Sequence, residues 1–286
     1  MRVLACGDVM GRTGRKAIAE HIPALRKALE LDFVMVNGEN AAGGFGITGE
    51  ICQEFYAAGV DVITTGNHVW DQRETLDYIK RDPKLLRPHN FPLGTPGRGV
   101  GVFEIAGGRR VVVLHVMARL FMEALDDPFL CLGQQLETHR LRGLPKGNAD
   151  LILVDIHGEA TSEKMATGHF CDGRVSAVVG THSHVPTADA QILTGGTGYQ
   201  TDLGMCGDYD SVIGMRKEGA VARFVTKLRG ERLEAAAGEA TLCGAFIETD
   251  DATGLARHIA PVRLGGRLQP HWPLPAPGGA LKLPKL

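Results

Sequence analysis

The chain has 286 residues, 44% of them hydrophobic and 22% charged, with a formal net charge of −2 and an isoelectric point near 6.6. That length supports one large domain with a full core. The near-neutral balance excludes the strongly basic surface of a DNA-duplex binder, and no apolar run reaches the ~18 residues of a membrane span; a short or cyclic nucleotide, needing only local positive charge, stays open. Six cysteines (Cys6, Cys52, Cys131, Cys171, Cys206, Cys243) are scattered without Cys-x-x-Cys spacing and read as reduced thiols of a cytoplasmic protein. Leu4-Ala5-Cys6-Gly7 superficially resembles a lipoprotein cleavage site, but five residues before Cys6 are too few for a signal's apolar region.

Arg2 to Cys6 has the pattern of a short buried strand ended by Gly7-Asp8. Gly11-Arg12-Thr13-Gly14-Arg15 then leads into a helix in which Ile18, Ile22, Leu25 and Leu29 recur at spacings of three and four. A glycine-rich turn between strand and helix can cradle a phosphate. This one has neither a Walker spacing nor Gly-x-Gly-x-x-Gly, so a tight turn is the simpler reading. Phe33 to Val36 reads as a second strand, delivering Asn37-Gly38-Glu39-Asn40, and Thr48 is placed to cap a helix running to Ala58. Val60 to Ile63 is a third strand, delivering Thr64-Thr65-Gly66-Asn67-His68.

A helix is expected from Arg73 to Arg81, then a loop through Arg87-Pro88-His89-Asn90-Phe91-Pro92. Val100–Ile105 and Arg110–Val116 flank Gly107-Gly108 as a hairpin. Leu120 to Pro128 is an acidic loop and Phe129 to Leu141 a helix. Leu151 to Val154 is a buried strand that delivers Asp155-Ile156-His157-Gly158-Glu159. Helix from Thr161 to Phe170 and strand from Val175 to Val179 follow, the strand ending at Gly180-Thr181-His182-Ser183-His184. In an extended segment His182 and His184 would point the same way. Ile192-Leu193 and Tyr199 to Thr201 suggest a second hairpin, and Asp208 to Ser211 a polar loop. Ala240–Thr249 and Leu255–Leu264 suggest two antiparallel strands. From Gly265 the chain is a Pro/Gly-rich tail, read as extended or disordered.

The recurring feature is a polar group at the C-terminal end of each strand, the edge of an α/β sheet where loops converge on ligands. Asp8, Glu39, Asn40, Asn67, His68, His157, His182 and His184 mix hard carboxylate oxygens, amide carbonyls and imidazole nitrogens. Such a mixture suits manganese, iron or zinc better than magnesium or calcium. With one bridging carboxylate, seven of these donors would fill two sites. A pair of cations about 3.5–4 Å apart suits phosphoester hydrolysis, because it polarises the phosphoryl oxygens and provides hydroxide at neutral pH. An imidazole beside them could protonate the leaving alkoxide.

In this order, Asp8, Gly66-Asn67-His68, His157 and Gly180-Thr181-His182-Ser183-His184 resemble the calcineurin-like metallophosphoesterase superfamily. Two departures stand out: Met10 takes the histidine position of the first motif, and Gly38-Glu39-Asn40 replaces the usual Gly-Asp. Both match the YmdB-like phosphodiesterase branch, whose longer signatures are also present. They include Val36-Asn37-Gly38-Glu39-Asn40-Ala41-Ala42, Gly66-Asn67-His68-x-Trp70-Asp71, Leu125-Asp126-Asp127-Pro128-Phe129, His157-x-Glu159-Ala160-Thr161-Ser162-Glu163-Lys164 and Thr201-Asp202-x-Gly204-Met205.

The resemblance implies an α/β fold over residues 1–264, with two packed mixed β-sheets flanked by helices in an α/β/β/α sandwich; the tail of residues 265–286 lies outside it. It further implies two divalent ions, iron or manganese ahead of zinc, one held by Asp8, Glu39, Asn40 and His184, the other by Glu39, Asn67, His157 and His182. Glu39 would be the bridge, and His68 a general acid or transition-state stabiliser. The implied reaction is hydrolysis of cyclic nucleotides, 2′,3′-cyclic forms foremost, by in-line attack of metal-bound hydroxide. The expected partners are a cyclic nucleotide or RNA-end phosphodiester and further copies of the chain, with neither membrane nor DNA duplex. A phosphomonoesterase or phosphoprotein phosphatase on the same centre is the alternative within the class. A metal-dependent nucleotide-binding regulator is the alternative outside it. Asp71 and Glu159 are candidates to orient imidazoles or to start helices; His89 and His115 read as ordinary structural or surface histidines.

Overall fold

The computed structural model describes residues 1–228, 230 and 232–273. The first half of the chain runs β1 (Arg2–Met10), α1 (Gly11–Ala28), β2 (Phe33–Asn40), α2 (Gly49–Ala57), β3 (Val62–Thr64), α3 (Thr75–Tyr78), β4 (Leu85–Leu86), β5 (Val100–Ile105) and β6 (Arg109–Met117). It continues through α4 (Pro128–Thr138), β7 (Leu151–His157), α5 (Thr161–Cys171), β8 (Ala177–Thr181), β9 (Gln191–Ile192), β10 (Gly198–Gln200) and β11 (Met205–Asp208). It closes with α6 (Lys217–Thr226), β12 (Ala240–Thr249) and β13 (Ala256–Leu264). One sheet has the order β13-β12-β11-β1-β2-β3-β4, and the other β5-β6-β7-β8-β10-β9. Both are mixed. In the first, β1, β2, β3 and β4 pair in parallel while β12 runs antiparallel to β1. In the second, β6, β7 and β8 are parallel and β5 is antiparallel to β6.

Alternation along each strand sorts its side chains between two surroundings. In the first sheet Val3, Ala5, Phe33, Met35 and Val62 face Val111, Val113, Leu151, Leu153, Ala177 and Val179 of the second, forming the inner core. The opposite faces are covered by helices. Leu4, Cys6, Val34, Val36 and Ile63 meet the Ile18, Ile22, Leu25 and Leu29 stripe of α1 and Ile51, Cys52 and Phe55 of α2. Val112, Leu114, Ile152 and Val154 meet Leu132 and Leu136 of α4. The layers are therefore helix, sheet, sheet, helix, as expected. Each fully buried aliphatic in the α1 stripe contributes about 1.5–3 kcal/mol. Thr48 caps α2 by accepting the Ile51 N–H at 3.3 Å, a contact of about 1 kcal/mol.

Several boundaries differ from those expected. β1 does not stop at Gly7-Asp8, because β11 lies alongside and pairs Asp8 with Met205 and Val9 with Cys206. A hydrogen-bonding partner outweighs the local turn residues. The helix expected over 73–81 is the single short α3, and β11 and α6 had no clear sequence signal. β11 has only four residues, and α6 buries Ala220 alone while Val221, Phe224 and Val225 stay exposed, so neither carries the periodicity of a packed element. The first residues of the tail are not loose. His271 pairs with Arg263 as an isolated antiparallel bridge, and Trp272 packs on the α1 side of the first sheet. Residues 274–286, the remainder of the expected tail, lie outside the described residues.

Candidate metal centre

The strand ends of both sheets meet at one rim of the inner core, and alternation decides which side chains enter it. In β2, Gly38 faces outward, where a Cβ would come within 2.7 Å of Ile47; Asn37 and Glu39 therefore face inward. In β7, Leu151 and Leu153 belong to the inner core, so Asp155 and His157 continue that face. β1 would break the pattern, because Leu4 and Cys6 face outward and Asp8 should follow them. Register shifts on both sides of Asp8 turn it inward. It accepts the His182 N–H at 3.0 Å, while Val9 takes the outward place.

His182 and His184 do not share a face as extended geometry would require. β8 ends at Thr181, and both histidines have positive φ, 100° and 64°. Ile213, whose carbonyl accepts from His184 Nδ1 at 2.8 Å, has φ 46°. Left-handed backbone at three non-glycine residues costs about 1–3 kcal/mol each. It separates the two rings, sending them to different donor groups.

Those groups are Asp8, Glu39 and His184, and Glu39, His157 and His182; within each, one donor atom per residue lies within 4.8 Å of the others. Glu39 is common to both. Its Oε2 is 3.3 Å from His157 Nε2, and His157 Nε2 is 3.1 Å from His182 Nδ1. Asn67 Oδ1 lies 3.0 Å from His157 Nε2. Asn40 sets its amide 3.0 Å from both Glu39 Oε1 and His184 Nε2, so presenting its carbonyl to a cation needs only an amide flip. Seven of the eight singled-out residues are thus brought together. The eighth, His68, stands beside them: its N–H donates to Glu39 Oε2 at 3.2 Å, and its ring Nδ1 is 2.8 Å from Asp71 Oδ2.

Three observations fit this donor set to cations. Asp8 Oδ1 is buried, has no hydrogen-bond partner among the described residues, and lies 3.9 Å from His184 Nε2. Gly66 keeps the space open, since a Cβ there would sit 2.3 Å from both Glu39 Oε2 and His157 Nε2. Asp8, Glu39, Asn40, His157 and His184 are all buried, and buried charge needs a counter-charge. Burial raises the Asp8 carboxyl to about 6, against the pull of His184 and His157. Burial also opposes ionisation of Glu39, but His157 outweighs it and holds that carboxyl below the usual range. His157 shows the converse: burial disfavours its charge, yet Glu39 raises it to about 9. Burial and then His157 lower His182 to about 3.

A buried polar relay fixes His157. The Thr181 hydroxyl donates to Asp155 Oδ1 at 2.8 Å, so its oxygen accepts from His157 Nδ1–H at 2.9 Å. Nε2 is left with its lone pair toward the donor group. His115, fully buried, stands 3.4 Å from the other Asp155 oxygen. This is a structural histidine, as expected, but one that braces the relay. Parallel pairing sets His115 opposite Asp155 and His157 opposite Thr181.

Sequence reasoning missed Lys164. Although it lies in mid-helix, α5 turns its Glu163, Lys164 and Thr167 face inward. Lys164 Nζ, fully buried, donates to the Thr181 carbonyl and to Asp202 Oδ2, both at 2.7 Å. Asp202 accepts the Ser183 and Gly204 N–H groups at 3.0 and 2.8 Å. The pair thereby holds the turn that carries His182 and His184. The available signal was that Lys164 and Asp202 both lie within the extended signatures. Asp71 contacts His68, and Glu159 Oε2 is 3.2 Å from His182 Nε2, so both carboxylates contact imidazoles. Met10 packs with Met205 and Met215 against Phe45 and Tyr209; an apolar cluster fills the usual histidine position.

Comparison with known proteins gives consistent matches. The family model described as YmdB-like protein matches residues 4–262. A 2′,3′-cyclic-nucleotide 2′-phosphodiesterase of Bacillus subtilis is 46% identical over 259 residues, 91% of this chain and 95% of the relative. A crystal structure of a hypothetical protein from Thermus thermophilus is 43% identical with a TM-score of 0.85, covering 93% of this chain and 100% of that one. A structure described as a novel phosphatase from Mycoplasma pneumoniae is 32% identical with a TM-score of 0.85, covering 93% of each chain. No helix among the described residues is long and apolar enough to cross a membrane.

Proposed function

The chain belongs to the YmdB-like family, and from that membership and its convergent donors we propose a dinuclear metal-dependent phosphodiesterase acting on 2′,3′-cyclic nucleotides. Its fold is that of the metallophosphoesterases, and it is an enzyme. The observation that carries the reading is Glu39, one carboxylate shared by two buried donor groups. Asp8, Glu39, Asn40 and His184 would hold one cation, and Glu39, Asn67, His157 and His182 the other, iron or manganese in each. When bound, the two cations supply Lewis-acid stabilisation of the phosphoryl group and a nucleophile at neutral pH.

The chain's own side chains then position and protonate. His184 Nδ1 and His157 Nδ1 are tied to the Ile213 carbonyl and the Thr181 hydroxyl, which keeps each Nε2 aimed inward. Asp71 holds His68 by Nδ1, leaving its Nε2 to give a proton to the departing ribose 2′ oxygen as its bond to phosphorus breaks. The product would be the 3′-monophosphate, in keeping with the name of the Bacillus relative. The test compares turnover of a 2′,3′-cyclic mononucleotide with that of the 2′- and 3′-monophosphates by manganese-loaded protein. The cyclic diester should be hydrolysed and the monoesters left intact, and His68→Ala should lower kcat by ~10²–10⁴-fold with metal content unchanged. Faster turnover of monoesters would favour a phosphomonoesterase. A biological effect untouched by His68→Ala would favour a regulator.

Two further expectations concern cation affinity. Thr181→Val removes the acceptor of His157 Nδ1–H and should weaken binding about 10–100-fold in chelator competition. Ligation requires His157 neutral, whereas Glu39, working against burial, raises it to about 9 in the cation-free protein. Uptake at pH 7 should therefore release a proton, and affinity should climb about tenfold per pH unit up to that value. Below about 6, Asp8 holds a second proton and the dependence steepens. Calorimetry in buffers of different ionisation enthalpy measures the released protons.

A further inference from the structure

We infer that the cavity beside the metal centre binds a second phosphate, the one on the 5′ side of the scissile cyclic diester in a single-stranded oligoribonucleotide. This deepens the phosphodiesterase reading and rests on it. The cavity has a volume of about 930 Å³, and its walls include Arg12, Thr13, Lys16, Gly43 and Arg232. Arg232 also lines an adjoining cavity of about 380 Å³. The longest stretch of wall is the 232–240 segment, and the remainder includes the start of α1 and Gly43, which follow the ligand-bearing strands β1 and β2. Arg12 lies four residues after Asp8, where β1 passes directly into α1. Gly43 lies in the turn after Asn40, where the Gly44 N–H donates to the Asn40 carbonyl at 3.0 Å.

Phe45 links this cavity to the proposed acid. Its ring meets His68 edge-on at 5.3 Å between centroids, and the Arg232 guanidinium lies 5.4 Å from its centroid. Phe45 thus touches both the proposed acid and Arg232, and a substrate chain leaving His68 along that ring would meet the guanidinium.

The charges in this cavity are unevenly matched. Glu20 faces Lys16 at 3.5 Å, and Glu234 faces Arg216 at 3.2 Å. Glu239 is the remaining carboxylate of the wall. Arg12 and Arg232 have no hydrogen-bond or ion-pair partner among the described residues, and the buried Thr13 hydroxyl has none either. The two guanidinium groups are exposed donors without acceptors, and they suit the non-bridging oxygens of a phosphodiester. The glycine-rich segment Gly11-Arg12-Thr13-Gly14-Arg15, expected as a tight turn, is instead the first turn of α1, and its residues divide the work. Gly14 packs against the Cys206 carbonyl, where a Cβ would come within 2.2 Å, and Arg15 pairs with Glu54 at 3.3 Å. Arg12 is left for the ligand.

The experiment measures fluorescence anisotropy of a labelled pentaribonucleotide ending in a 3′-phosphate, which binds without turnover, on the manganese-loaded protein. A nucleoside 3′-monophosphate and a nucleoside 3′,5′-bisphosphate serve as competitors. Wild type should prefer the pentanucleotide to the monophosphate by about tenfold or more, and Arg12→Ala/Arg232→Ala should abolish that preference without weakening the monophosphate. The slope of log affinity against log salt should flatten by ~0.7, the value for one phosphate contact on a single strand. Arg140→Ala, at the end of α4, should change nothing. A bisphosphate that matches the pentanucleotide also supports the subsite and assigns it to a single phosphate of either origin. Equal affinity for pentanucleotide and monophosphate in wild type, no binding of either, or an unchanged preference in the double variant would overturn it. Loss of cyclic-diester turnover with that preference intact would instead overturn the proposed reaction.

Discussion

Glu39→Ala is expected to leave the protein without either cation and to slow hydrolysis of a 2′,3′-cyclic nucleotide by ~10⁴-fold or more, about 5.4 kcal/mol of barrier. The size follows from position. Glu39 alone belongs to both donor groups, and its removal also strips His157 of the carboxylate 3.3 Å away that holds the ring's charge. Replacing a residue of only one group, such as His184→Ala, should cost one ion and leave the other. Metal analysis of the two variants beside their kcat separates the cases. If Glu39→Ala retained one tightly bound ion, the bridge would be wrong even if activity fell.

Lys164→Met should cause the largest loss of stability, about 3–5 kcal/mol, because it leaves Asp202 buried without its counter-ion. Lys164 and Asp202 are both fully buried and 2.7 Å apart. The double variant Lys164→Met/Asp202→Asn should recover part of that loss, since no uncompensated charge remains. It should nonetheless bind cations weakly, because the Asp202 contacts to Ser183 and Gly204 help hold the turn with His182 and His184. Urea unfolding of the two variants measures the first effect and chelator competition the second. Equal stability of Lys164→Met and wild type would remove the pair from the account.

The layered α/β plan is legible in the sequence because the strands are apolar runs that end in polar residues, and a strand end is a position, not merely a composition. Glu39, Asn67 and His157 could be placed at the rim from that pattern alone. The turn at His182 to His184 could not, because positive φ at two histidines contradicts the extended geometry that local pattern suggests. Nor could Lys164, whose partners are 17 and 38 residues away and whose helix looks solvent-exposed by composition. Asp8 shows the same limit on a smaller scale. Strict alternation would send it outward among the α1 contacts, and only the register shift against β2 brings it to His182. What local chemistry decides is readable from one chain; what a distant backbone partner decides is not.

The most direct measurement is anomalous scattering from crystals of the replete protein at the iron and manganese edges. Two ions per chain are expected, about 3.5–4 Å apart, with the carboxyl of Glu39 between them and His184 and His182 on opposite sides. A single ion, or a pair whose nearest protein ligands exclude Glu39, would contradict it.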